Sequence, residues 1–167
     1  MTTATLTEAR LREVLATVTD PEIPVITIAD LGILRDVAVD GDHVTVTITP
    51  TYSGCPAMDE IRADITTALA SAGVDDVEVR TVLSPAWTTE WMTEQGRADL
   101  RAYGIAPPTV RAGGPVLLQL GRRTATVVCP HCGSSSTEEL TRFASTSCKS
   151  LWRCRSCREP FDHFKDH

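Results

Sequence analysis

Apolar residues recur three and four apart at Leu11, Val14, Leu15 and Val18, which is the spacing of one helix face. The spacing predicts a helix over 8–18. Leu6 and Leu11 flank Thr7 as a hydrophobic staple flanks an N-cap, and Asp20 with Pro21 stops the run. The period then changes to two. Val44, Val46 and Ile48 alternate with Thr45, Thr47 and Thr49, and the run over 33–39 faces them across Asp-Gly-Asp. A β-hairpin is expected, with Asp40 and Gly41 taking the positive φ of a tight turn. Met58, Ile61, Ile65, Ala68, Leu69 and Ala72 form a second helical face, for which Pro56 reads as the first helical residue, Cys55 as the N-cap and Gly73 as the stop. Val77, Val79 and Val82 predict a third strand. "SPAWTTEWMTEQGRADLRAYG" then reads as a turn and a helix, with Glu90 in its first turn and Gly96 as a weak point.

This order implies an α+β fold: a small mixed sheet packed by helices (α-β-β-α-β-α), followed by a C-terminal zinc ribbon. The expected domains are 1–104, a Pro/Gly-rich linker over 105–116, and a ribbon over 117–167. Charge supports two units. Residues 1–104 carry 7 basic and 17 acidic side chains, residues 105–167 carry 9 and 5, and the whole chain is at −6. No dense Lys/Arg stripe with interleaved aromatics points to nucleic acid. No segment approaches the roughly 18 apolar residues of a membrane helix, and the N-terminus lacks a signal-peptide pattern, so a cytoplasmic location without membrane contact is expected.

In a reducing compartment six cysteines suggest metal ligands or reactive thiols before disulfides. Cys129-x-x-Cys132 and Cys154-x-x-Cys157, with 21 residues between the pairs, can aim four thiolates at one ion. Zinc suits such a closed site, and iron or an iron–sulfur centre is the alternative. Cys148 reads as a small buried hydrophobe or an auxiliary ligand, and His131 and His163 are further ligand alternatives.

Cys55 stands alone in "TPTYSGCPAMDEI". A thiolate at a helix N-terminus is favoured by unpaired amides and the macrodipole, so a reactive or metal-accepting thiol competes here with a structural cap. His43, expected at the far end of the preceding strand, does not suit a general base for it. Asp20 and Glu22 flank Pro21, and Asp30 precedes Leu31-Gly32. Such carboxylates could bind iron or move protons, but turn chemistry explains them as well.

"DPEIPVITIADLGIL" and "TPTYSGCPAMDEI" resemble the iron–sulfur maturation domain of SufT-like proteins over residues 8–83, and the cysteine implicated in that family falls on Cys55. "SPAWTTEWMTEQGRADLRAYGIAPP", CPHCG and "STSCKSLWRCRSCREPFDHFK" resemble the PaaD family of bacterial phenylacetyl-CoA epoxidase systems over nearly the whole chain. Asp166 stands where the family pattern has a cysteine. The resemblance implies an accessory protein that serves the epoxidase reductase and di-iron oxygenase subunits, with structural zinc and a transient iron or iron–sulfur cluster at Cys55. One sulfur per chain makes a homodimer an expectation. A stable docking subunit and an independent thiol enzyme are the alternatives. The chain has neither the Glu-x-x-His pairs of a di-iron carboxylate oxygenase nor a dinucleotide fingerprint.

Overall fold

The computed structural model describes residues 7–109 and 126–166. The chain forms two compact units that divide between Gly96 and Arg97.

The first unit begins with α1 (Glu8–Leu15), capped by the Thr7 hydroxyl, which accepts from the Arg10 amide at 3.3 Å. The helix ends three residues sooner than its apolar spacing suggests. Thr19 pairs with Thr27 in an antiparallel bridge, so the chain must already be extended there, although Val18 remains buried. Strands β1 (Leu34–Asp40) and β2 (His43–Ile48) form the expected hairpin. Gly41 alone supplies the positive φ, 62°; Asp40 does not share it. β3 (Asp76–Thr81) runs parallel to β2, a pairing that requires a long crossover, and α2 (Met58–Ser71) supplies it.

The sheet, ordered β1-β2-β3, is therefore mixed. Val37, Val44, Val46 and Ile48 are buried, as are Leu11 and Leu15 of α1 and Ile61, Ile65 and Leu69 of α2. Each such side chain contributes roughly 1.5–3 kcal/mol on leaving water. A core of this size needs no additional staple.

The loop between α1 and β1 is packed, not slack. Ile23, Ile26, Ile28, Leu31 and Ile33 are all buried. Gly32 has φ of 79°, and a Cβ there would lie 2.7–2.9 Å from Trp91 Cβ and its carbonyl group. Trp87 donates its indole N–H to the Leu31 carbonyl at 3.0 Å. Asp30 accepts from the Thr27 and Thr93 hydroxyls at 2.7 and 2.6 Å, and Thr93 Oγ1 in turn accepts from the Gly96 amide. These contacts displace the start of the last helix: Glu90 falls in a 3-10 turn (Thr89–Trp91), and α3 spans Glu94–Tyr103 with Glu94 in its first turn. Gly96 is a close-packing position, since a Cβ would meet the Asp30 carbonyl oxygen at 3.0 Å.

The second unit holds a four-stranded sheet ordered β4-β7-β6-β5, where β4 is Ile105–Ala106, β5 Thr137–Thr141, β6 Lys149–Cys154 and β7 Pro160–Phe164. β5, β6 and β7 are antiparallel neighbours, and β4 lies parallel to β7. Residues 105 and 106, at the start of the stretch read from sequence as a linker, are thus a paired strand, and 110–116 lie outside the described residues. Asp166 is a clasp. Its two carboxylate oxygens accept from the Thr109 amide at 2.9 Å and the Thr109 hydroxyl at 2.6 Å. None of the helices among the described residues is long and apolar enough to cross a membrane.

Substituting Gly32→Ala should lower stability of the first unit by roughly 2–4 kcal/mol, because a left-handed backbone and a clash with backbone atoms act together. Chemical denaturation read from tryptophan fluorescence measures this; a change below about 0.5 kcal/mol would contradict the close-approach account.

Candidate metal centre and the isolated cysteine

Each Cys-x-x-Cys segment is folded into the same tight knuckle. The Cys129 amide donates to the Ser134 carbonyl at 2.9 Å, and the Cys154 amide donates to the Glu159 carbonyl at 3.0 Å, five residues on in both cases. The residue after the second cysteine has positive φ in each: Gly133 at 74° and Arg158 at 67°. Arg158 is the one non-glycine in that region among the described residues, and the closed knuckle imposes the conformation on it. The Ser134 and Ser156 hydroxyls, 2.8 Å apart, join the two knuckles. Glu138 of β5 ties the second to the sheet by accepting from both Arg153 and Arg155.

The knuckles bring the four sulfurs of Cys129, Cys132, Cys154 and Cys157 within 4.8 Å of one another. Cys129–Cys157 is 3.8 Å and Cys132–Cys154 is 3.6 Å. A metal–sulfur bond of about 2.3 Å in a regular tetrahedron implies sulfurs about 3.8 Å apart, whereas a disulfide needs about 2.05 Å. The spacing therefore fits four thiolates on one ion. Cys129 and Cys154 are buried in an apolar cluster with Ala106, Val127, Trp152 and Phe161, against which Cys157 packs.

Proton binding in this group is uneven without a cation. The Cys157 amide, directed at the Cys154 sulfur, and further bonds from Ser156, Cys132 and Cys157 prevail over burial and bring Cys154 down to about 6. For Cys157 the Glu159 amide favours the thiolate, but burial and the sulfurs of Cys154, Cys132 and Cys129 outweigh it and push the thiol up to about 12. A divalent cation removes the conflict, because it stabilises all four thiolates together.

The other ligand alternatives lie elsewhere. Cys148 is buried just before β6, its sulfur 3.0 Å from Thr146 Oγ1, outside the four-sulfur group. His131 is exposed and meets the Phe161 ring edge-on. His163 is buried, with Nδ1 3.4 Å from Ser150 Oγ, and burial lowers its pKa.

Cys55 is not the N-cap of α2. Pro56 and Ala57 form a separate turn in which the Cys55 carbonyl accepts from the Met58 amide at 3.4 Å, and Ala57 is the capping residue. Pro56 sets φ for that turn instead of for the helix. The macrodipole acts within the first helical turn, so helix-end stabilisation of a thiolate loses its basis three residues upstream. A second turn precedes it, closed by the Cys55 amide on the Tyr52 carbonyl at 3.3 Å. The residue is half-buried, and beside it Gly54 (φ 103°) faces open space.

Asp20 is buried, and its Oδ1 accepts from the Glu22 and Ile23 amides at 2.8 and 2.9 Å, which folds the Asp-Pro-Glu turn. Among the described residues the four-cysteine set is the one cluster of three or more Cys, His, Asp or Glu groups close enough for a single ion; Cys55, Asp20 and Glu22 are not drawn into another. His43 opens β2, 3.0 Å from Asp76, and the bond to that carboxylate raises its pKa. Five residue steps of strand, about 17 Å, separate it from the end of β2 that leads to Cys55.

Metal content by elemental mass spectrometry is expected at one ion per chain. It should fall to a small fraction in Cys154→Ser and stay at one in Cys148→Ser and Cys55→Ser. Loss of the ion in Cys148→Ser would contradict the four-sulfur assignment.

Comparison with known proteins supports both halves of the chain. Residues 114–165 match the PaaD zinc beta ribbon domain, and residues 8–81 match the iron–sulfur cluster assembly protein family. A candidate subunit of the 1,2-phenylacetyl-CoA epoxidase of Escherichia coli strain K12 is 46% identical over 97% of this chain and 96% of its own length. An Fe-S protein maturation auxiliary factor of Porphyromonas gingivalis is 40% identical over 56% of this chain and 90% of its own. Among solved structures, a DUF59 domain from Bacillus anthracis superposes with a TM-score of 0.53 at 32% identity, over 56% of this chain and 90% of that one. With end-to-end similarity to the first relative, an assembly-type unit at the front and the four-cysteine ribbon behind it, the chain belongs to the PaaD family.

Proposed function

We propose that the chain is a non-oxygenating accessory subunit of a phenylacetyl-CoA 1,2-epoxidase system, and that it helps load an iron–sulfur cluster or iron onto the reductase or di-iron subunit through Cys55. The observation that carries this reading is the union, in one chain, of an iron–sulfur assembly unit with a PaaD ribbon. Relatives of the first unit alone are named as Fe-S protein maturation auxiliary factors, while the full-length relative is named as an epoxidase subunit. The accessibility of Cys55 agrees with hand-over: it sits half-buried in a turn between β2 and α2, beside the open space at Gly54.

The division of labour follows from sulfur count. Four thiolates on the ribbon close a site around zinc and leave no position for cargo. One thiolate at Cys55 cannot enclose a cluster, so a client or a second copy supplies the remaining ligands, and the bond is correspondingly easy to exchange. The metal-stapled ribbon then serves as a docking surface for the epoxidase subunits. A stable docking role is the second reading, favoured by the designation of the Escherichia coli relative as a subunit. An independent thiol enzyme has less to recommend it, since His43 is engaged by Asp76 at the other end of β2.

Cys55→Ala should leave the purified chain folded and metal-loaded, while the reductase subunit from cells carrying it contains several-fold less iron and sulfide. Full loading of both partner subunits in those cells would defeat the maturation reading; failure of Cys154→Ser to co-purify with them would then favour docking.

A further inference from the structure

We propose that Cys132 is a modification site, the sulfur through which hydroperoxides and thiol-directed electrophiles open the metal centre. The four ligand sulfurs are not equally shielded. Cys129 is 1% exposed and Cys154 is fully buried, Cys157 is half-buried, and Cys132 alone is exposed. The cause is local. The first residue of each knuckle is held in the apolar cluster by Trp152, Phe161, Val127 and Ala106, whereas Cys132 lies between exposed His131 and exposed Gly133. Gly133 faces open space, with nothing within 4 Å of where its Cβ would stand.

The second observation is a partner in reach. The Cys154 sulfur lies 3.6 Å from that of Cys132, too far for a disulfide and near enough to resolve an oxidised Cys132 with a small movement of one knuckle. Accessible thiolates placed beside a resolving cysteine are the ones that oxidation selects.

The chemistry balances with a hydroperoxide as the only oxidant. The Cys132 thiolate attacks one peroxide oxygen; an S–O bond forms and the O–O bond breaks. The displaced hydroxide or alkoxide takes a proton from water, and Cys132, oxidised by two electrons, is a sulfenic acid. The Cys154 thiolate then attacks that sulfur, an S–S bond forms and hydroxide leaves. Two of the four ligands are withdrawn, and Cys129 and Cys157 alone do not retain the ion. An external dithiol reverses the cross-link by exchange, so metal can be rebound. An electrophile such as N-ethylmaleimide stops at the first stage, since addition to Cys132 removes one ligand and leaves no leaving group for Cys154 to displace.

The test uses the metal-loaded full chain treated with substoichiometric hydrogen peroxide, with peptide mapping of each cysteine and metal release followed in parallel by a chromogenic chelator. Of the four ligand cysteines Cys132 should be oxidised first, the Cys132–Cys154 cross-linked peptide should accumulate, and its rate should match metal release. Cys132→His keeps a metal ligand but lacks the thiol, so it should bind the ion and release it at least about tenfold more slowly under peroxide. Oxidation of Cys129 or Cys154 while Cys132 remains a thiol would overturn the proposal, as would metal loss with all four sulfurs unmodified. Should Cys132→His fail to bind metal, the order of modification in the unsubstituted chain decides alone.

Discussion

Four sulfur atoms confined within 4.8 Å cannot all carry charge unless a cation lies among them. The opposed behaviour of Cys154 and Cys157 expresses that constraint: one thiol is driven towards ionisation and its neighbour away from it. The second unit is organised around the demand. Its apolar cluster is small, and two of the six buried members are themselves metal-site cysteines. Both knuckles, the serine pair between them and the Glu138 clamp on Arg153 and Arg155 orient the sulfurs. Arg158 takes a left-handed backbone where the second knuckle closes, as Gly133 does in the first.

The first unit answers a different demand. Its aliphatic core runs from Leu11 through Leu69, its parallel pairing is supported by α2, and the loop before β1 is filled by five buried aliphatic residues. Cys55 lies half-buried in a turn between β2 and α2. The four-sulfur site and the single sulfur of Cys55 occupy separate units.

How much of this could be seen in the sequence depends on whether the signal was local. Two Cys-x-x-Cys pairs dictate a four-sulfur site wherever the chain carries them, and alternation in β2 with a glycine turn dictates the hairpin. What failed needed knowledge of neighbours. Pro56 is equally at home in the first turn of a helix and in the β-turn it occupies, so the cap fell on Ala57 and not Cys55. Glu90 reads as a first-turn acid, but Asp30, sixty-three residues before Thr93, accepts from the Thr93 hydroxyl just ahead of α3, which starts at Glu94. Asp20 and Asp30 suit chemistry and turns equally as sequence; in the structure both accept hydrogen bonds from amides or hydroxyls near them. Strand β4 was hidden because two residues among prolines acquire strand character only by lying beside β7.

If the sulfur tetrahedron holds the second unit while the first stands on its own core, the two must respond differently to metal removal. Hydrogen exchange of the full chain, followed by mass spectrometry with and without a strong chelator, reads this directly. The account predicts that amides of β6 and β7 lose their protection when the metal is withdrawn while those of β2 and α2 keep theirs. Retained protection in β6 and β7, or simultaneous loss across both units, would contradict it.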